Sequence, residues 1–195
     1  MNYLAHLLLS GNDDDVIFGN FIGDAIKGRQ YQQYSSGVKA GILLHREIDS
    51  FTDSHPIYLK SKRRFYANYP KISGVIADIL YDHLLSVEWN KHSELDQNTF
   101  INKSYILLES RMGQMPQRMI PVYEHMRTHD WFNRYKTKEG TALSLMQIGK
   151  RMGFGENVGT SIKEFEKDEA LFIQEFNLFF SEIKEHSKLF LPTLF

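Results

Sequence analysis

The chain has no cysteine among its 195 residues. That absence excludes a disulfide framework, a thiolate metal site and a cysteine nucleophile, and it suits a reducing cytoplasm. Net charge is also nearly absent. Lys and Arg total 23 against 24 Asp and Glu, which excludes a globally basic nucleic-acid binder. No apolar run approaches the roughly 20 residues that a membrane span needs. A secretory leader is not expected, because the start lacks a basic segment and its short apolar run is broken by His6. Strand signals are scarce, with no Asn-Gly or Asp-Gly hairpin pair. The run Gly19-Asn20-Phe21-Ile22-Gly23 is not a phosphate loop, for it lacks the Lys-Ser/Thr ending and a preceding strand. Its glycines are read instead as allowing close helix packing or a turn. No serine sits in a nucleophile elbow.

What remains is helical periodicity, and the expected class is all-α, a single-domain orthogonal bundle spanning residues 1–195. Apolar spacing and the placement of Gly and Pro predict helices over Leu4–Ser10, Val16–Lys27, Val38 to about Thr52, Ile57–Tyr69, Ile72–Trp89, Phe100–Met112, Pro121 to about Tyr135, Ala142–Met152 and Gly159 to Leu189. Asp13-Asp14-Asp15 suits a helix start. The last segment carries Phe165, Phe172, Phe176, Phe179 and Ile183 on one stripe.

Several of these apolar segments contain groups that are costly to bury alone. Asp82-His83 lies inside Ile79-Leu80-Tyr81-Asp82-His83-Leu84-Leu85, His6 lies in Leu4-Ala5-His6-Leu7-Leu8, and Asp24 follows Phe21-Ile22-Gly23. His45 and Asp49 are one turn apart in Leu43-Leu44-His45-Arg46-Glu47-Ile48-Asp49. Convergence on one metal ion is the simplest common account. Two helices side by side could present His45, Asp82 and His83 to one point, with Asp49 and Asp78 behind them. A mixed His/carboxylate set suits Mn, Zn or Fe(II), and carboxylates behind the ligands would orient the imidazoles. The plainer account stays open. A lone His on an apolar face is commonly a hydrogen-bonded core residue, Asp49 beside Arg46 can be an ion pair, and Asp53 can end a helix. His92, His125, His129 and His186 sit in polar stretches and read as surface. Lys60, Lys62, Arg63 and Arg64 form a basic cluster that is either a solvated face or a surface for an anionic partner.

These residues resemble a known family. Met1-Asn2-Tyr3-Leu4-Ala5-His6-Leu7, Gly19-Asn20-Phe21-Ile22-Gly23-Asp24, Gly41-Ile42, His45-Arg46-Glu47-Ile48-Asp49, Thr52-Asp53 and Asp82-His83 are similar to motifs of the bacterial acyl carrier protein phosphodiesterases. Trp131 and Tyr135 fall where that family has a Trp and a Tyr, and Tyr3 replaces its more usual Phe. The resemblance covers the first half of the chain most closely. It implies a helical fold distantly related to the HD-type metal-dependent phosphohydrolases. It also implies hydrolysis of the phosphodiester joining 4'-phosphopantetheine to a serine of holo acyl carrier protein, with Mn(II) the expected metal. The implied ligands are His6, Asp24, His45, Asp82 and His83, with Asp49 as a carboxylate behind them or a proton acceptor. Arg46 or the basic cluster would neutralise a phosphoryl oxygen, and Lys60, Lys62, Arg63 and Arg64 would meet the acidic carrier. Two other activities fit the same residues: a phosphohydrolase for a nucleotide or other small phosphodiester, and a non-catalytic module that binds an acidic protein.

Overall fold

A computed structural model describes residues 2–195. Twelve α-helices, linked by short 3-10 turns, account for the regular structure, and no strand occurs among the described residues. The all-α expectation holds. No helix among them is long and apolar enough to cross a membrane.

The first two helices start where side-chain oxygens can accept free backbone donors. Asn2 Oδ1 accepts from Tyr3 N at 2.9 Å to open α1 (Tyr3–Leu9). Asp13 Oδ1 accepts from Asp15 and Val16 N to open α2 (Asp14–Ile22). α2 stops short of its expected end at Lys27, giving way to a 3-10 turn over Gly23–Ala25 and then to extended backbone at Ile26. Before that end it packs on α3 (Ser36–Ser54). A Cβ on Gly19 would meet Val38 O at 2.1 Å, and one on Gly41 would meet Val16 O at 2.2 Å. The two helices therefore pack nearly backbone to backbone.

α4 (Pro56–Arg63) opens with proline in its first turn, where the missing N–H removes no helical bond. α5 (Ser73–Val87) is buried on most sides, through Ile76, Ala77, Ile79, Leu80, Tyr81, Leu84 and Leu85. Three helices follow: α6 (Trp89–His92), α7 (Gln97–Ser110) and α8 (Ile120–Thr128). The helix expected over 121–135 is interrupted at Asp130, whose φ of 46° lies in the left-handed region, and it resumes as α9 (Trp131–Arg134). Asn133 Nδ2 donates to the Asp130 carboxylate at 2.7 Å, a local bond that competes with helix continuation. α10 (Lys138–Arg151) matches the expected short helix and starts a little earlier.

The long C-terminal helix is likewise broken in two, α11 (Ile162–Lys167) and α12 (Glu169–Phe190). At the break the Asp168 carbonyl accepts from Leu171 and Phe172 N and so begins the new helix. The expected aromatic stripe is real: Phe172, Phe176, Phe179 and Phe180 are all buried, with Phe179 ringed by Tyr58, Tyr81 and Phe51. Each such side chain contributes about 1.5–3 kcal/mol relative to exposure. Glu175 is the one buried charge on this helix face. Arg64 binds it through two hydrogen bonds of 2.6 and 2.8 Å, and Ser61 adds a third at 2.6 Å.

One reading is corrected here. His92 is buried rather than on the surface, because its Nε2 pairs with Asn177 at 3.1 Å and its ring packs on Phe176 and Phe180. Long-range packing from α12 covers a residue whose sequence neighbours are polar.

Candidate metal centre

Four of the sequence-selected groups meet at one end of the α1–α2–α3 layer. His6 comes from α1, Asp24 from the 3-10 turn after α2, and His45 and Asp49 from successive turns of α3. His6 Nε2 lies 3.2 Å from Asp49 Oδ1, and His45 Nε2 lies 3.2 Å from Asp49 Oδ2 and 3.3 Å from Asp24 Oδ1. The two imidazoles are stacked, with centroids 4.3 Å apart. Gly23 makes room for this, since a Cβ there would lie 2.4 Å from His45 Cγ.

Both rings are oriented by one residue that the sequence did not single out, Asn20. Its Nδ2 donates to His6 O at 3.0 Å and to Ser10 Oγ at 2.8 Å, which turns Oδ1 toward the rings. That oxygen is only an acceptor, and it lies 2.9 Å from His6 Nδ1 and 3.2 Å from His45 Nδ1. The network therefore assigns a proton to each Nδ1 and leaves each Nε2 facing a carboxylate. A neutral Nε2 and a carboxylate oxygen 3.2 Å apart bring two lone pairs together. Only a cation between or on them relieves this.

Without a metal the relieving cation is a proton. Burial works against charge on His45, but Asp24 and Asp49 outweigh it and raise its pKa to about 9. Burial and the neighbouring His45 lower the pKa of His6. Burial opposes the ionisation of Asp49, yet the two imidazoles hold its carboxyl far below the usual range. The hydrogen bond from His45 lowers Asp24 in the same sense. One imidazolium then stands against two carboxylates, so the cluster remains short of positive charge.

A divalent ion fits this set. His6, His45 and Asp49 each offer one ligand atom within 4.8 Å of the others, the one such group of three among the described residues. Ligand atoms about 2.1 Å from one ion sit roughly 3 Å apart, close to the spacings seen here. Two imidazoles with carboxylates suit Mn, Fe(II) or Zn. Asn20 supplies the outer hydrogen bond that metal-bound imidazoles generally have, in the place where a carboxylate was expected. Tyr3 Oη donates to Asp24 Oδ2 at 3.0 Å, and Arg118 donates to the Asp24 carbonyl, so the turn bearing Asp24 is fixed from two sides. The cluster opens through Asp24 and Asp49 into a cavity of about 380 Å³, whose walls include Thr52, Asp53, Asp78 and Arg151.

Asp82 and His83 stand outside the cluster. The Asp82 carboxylate accepts from Leu4 N at 2.9 Å and Ala5 N at 3.3 Å, the second and third donors of α1. Burial pushes its pKa up to about 7, against the pull of those two bonds. His83 Nδ1 donates to Tyr135 O at 2.7 Å and its ring edge meets Phe165, tying α5 to α9 and α11. Arg46 is also turned away. Its Nη2 donates to Ile26 O at 2.8 Å and its guanidinium stacks over Tyr31. In the basic cluster Arg64 is held by Glu175 and Lys60 lies 3.1 Å from the same carboxylate, while Arg63 is exposed and has no such partner among the described residues.

Comparison with known proteins agrees with the motifs. A family model described as acyl carrier protein phosphodiesterase matches residues 1–183. A protein of Photorhabdus laumondii named acyl carrier protein phosphodiesterase is 28% identical over 189 residues, 96% of each chain. Proteins of the same name from Pectobacterium atrosepticum and Yersinia enterocolitica are 32% and 30% identical over 136 residues, 69% of this chain and 70% of each relative. No solved structure matches. A match over nearly the whole length, with curated relatives at this identity, means that the chain belongs to the acyl carrier protein phosphodiesterase family.

Proposed function

We propose that this protein hydrolyses the phosphodiester between 4'-phosphopantetheine and a serine of holo acyl carrier protein, using a divalent metal, Mn(II), held by His6, His45 and Asp49 with Asp24 beside them. The observation that carries the metal reading is the shared Asn20 acceptor, which sets both Nε2 lone pairs toward carboxylates. When bound, such an ion lowers the pKa of a water and draws charge from a phosphoryl oxygen.

The remaining work falls to the chain itself. Asn20 fixes tautomer and ring angle, so no reorientation is needed during reaction. Tyr3 and Arg118 keep Asp24 in register with His45. In this reading Asp49 is itself a ligand rather than a carboxylate behind the ligands. Asp24, more exposed and at the mouth of the larger cavity, is the better placed to take a proton from an incoming water. Asp82 is a positioning residue in this reading: it clamps the start of α1 and through it His6. The products are apo carrier protein and 4'-phosphopantetheine, and the setting is cytoplasmic.

An acidic carrier would approach a basic rim, for which Lys62 and Arg63 on α4 remain available. The rival substrate, a nucleotide or other small phosphodiester, is separated by rate. Holo carrier protein and bis(p-nitrophenyl) phosphate are compared under the same Mn(II) concentration. Preferential turnover of the carrier, abolished by chelator, is expected. Equal or faster turnover of the small diester would overturn the substrate assignment, and chelator-resistant turnover would overturn the metal.

A further inference from the structure

A second cavity, of about 280 Å³, lies between α8, α9 and α10, where His125, Trp131, Ser144, Gln147, Ile148 and Arg151 line it. Ile148 and Arg151 also form part of the wall of the 380 Å³ cavity that reaches Asp24 and Asp49. The two spaces therefore abut at those side chains. Two lining residues carry ring nitrogens enclosed by protein without a hydrogen-bond partner, Trp131 Nε1 and His125 Nδ1. An indole N–H can only donate, and leaving it unpaired costs about 1–3 kcal/mol. Burial keeps His125 neutral by lowering its pKa, so its Nδ1 can serve as donor or acceptor. Arg151 is exposed and makes no ion pair among the described residues. The walls thus combine an indole face and Ile148 with amide-scale polar groups, Lys150 paired with Glu156, and Arg151, which has no ion pair among the described residues, at the side nearest the metal centre.

We propose that this cavity receives the pantetheine arm of the substrate, with Arg151 meeting the phosphate at the shared wall. The inference rests on the carrier-protein reading above. The arm is a neutral chain with two amides, a dimethyl-bearing carbon and a phosphate at one end. Its dimethyl group suits Ile148 and the Trp131 ring, its amides suit the polar groups of Ser144 and Gln147, and its charged end falls toward Arg151 and the cluster. A nucleotide would instead present a flat base, for which the walls offer no parallel pair of rings, since His125 and Trp131 meet edge to face at 72°.

Tryptophan emission tests this on the full-length chain without turnover. The protein has two tryptophans. Trp89 is buried elsewhere, its indole N–H bonded to Leu95 O at 2.7 Å. Pantetheine, 4'-phosphopantetheine and inorganic phosphate are titrated separately. Saturable change is expected with the first two and none with phosphate alone. W131F should remove the signal. R151A, at an exposed position, should weaken phosphopantetheine about tenfold to a hundredfold and leave pantetheine unchanged, the loss of one charge-assisted bond. No change with pantetheine, a signal that persists in W131F, or phosphate acting alone would each overturn the proposal. Carrier hydrolysis without any pantetheine signal removes the pocket and leaves the reaction. Pantetheine binding at Trp131 without hydrolysis supports the pocket and counts against the reaction only.

Discussion

Replacing Asp82 by alanine removes the acceptor for two backbone donors that have no other partner among the described residues. Leu4 and Ala5 are fully buried, so no water replaces the lost bonds. Each stranded donor costs about 1–3 kcal/mol. Relief from burying the carboxyl offsets part of this, and a net loss of about 2–5 kcal/mol is expected for D82A. In urea, with a slope of about 3 kcal/mol per molar, the upper end of the usual range for a chain of this length, the midpoint should fall by roughly 1–2 M. D82N keeps one acceptor oxygen and should lose less. The pH dependence carries a definite sign. The folded pKa is raised from 3.8 to about 7, so the carboxyl's contribution is full below 3.8 and is lost as pH rises through about 7. The deficit of D82N relative to the parent should therefore shrink between about pH 4 and about pH 7 and stay level above that. Circular dichroism across urea series gives the midpoints, and Mn(II) calorimetry on the folded variants gives the affinity. A D82A midpoint equal to the parent's, together with lost Mn(II) binding, would refute this reasoning and make Asp82 a ligand.

Three other perturbations separate the site from its scaffold. N20A should lower Mn(II) affinity about 10- to 100-fold by freeing both imidazoles, as calorimetry would read, and unchanged affinity would discount Asn20's orienting role. E175Q should cost about 1–3 kcal/mol by weakening the bonds from Arg64, which keeps Asp168 at 3.7 Å. The folded pKa of Glu175 is about 2 against a reference of 4.5, because Arg64, Ser61 and Lys60 outweigh its burial. Its stability is therefore present above 4.5 and lost as pH falls through about 2, and E175Q should flatten the melting temperature over that window. Reversing charge at Lys62 and Arg63 should raise KM for holo carrier protein and flatten its salt dependence, with kcat changed less. Equal loss on a small phosphodiester would place these residues in the site itself.

The helical class and most helix starts were legible because capping residues, glycines and prolines act locally. The breaks at Asp130 and Asp168 were not, since each depends on a local bond or backbone turn inside an otherwise periodic run. His6, Asp24, His45 and Asp49 were selected from their apolar surroundings, and the fold does bring them together. The same signal selected Asp82 and His83, whose partners are backbone groups of distant segments. A buried polar residue announces that it needs a partner without saying which. Asn20 is not legible as a site residue, because an amide beside a glycine in sequence reads as turn material. Its role follows only from the meeting of α1, α2 and α3. Arg46 and Arg64 illustrate the converse, as cations near the site in sequence that the fold uses for packing.

The most direct test of the central claim is an anomalous difference map from crystals of this protein grown or soaked with Mn(II). The account predicts a peak bounded by His6 Nε2, His45 Nε2 and the Asp49 carboxylate, with Asp24 adjacent and Asn20 still bridging the two Nδ1 atoms. A peak at Asp82 and His83, or none at the His6–His45–Asp49 cluster in Mn(II)-saturated crystals, would contradict it.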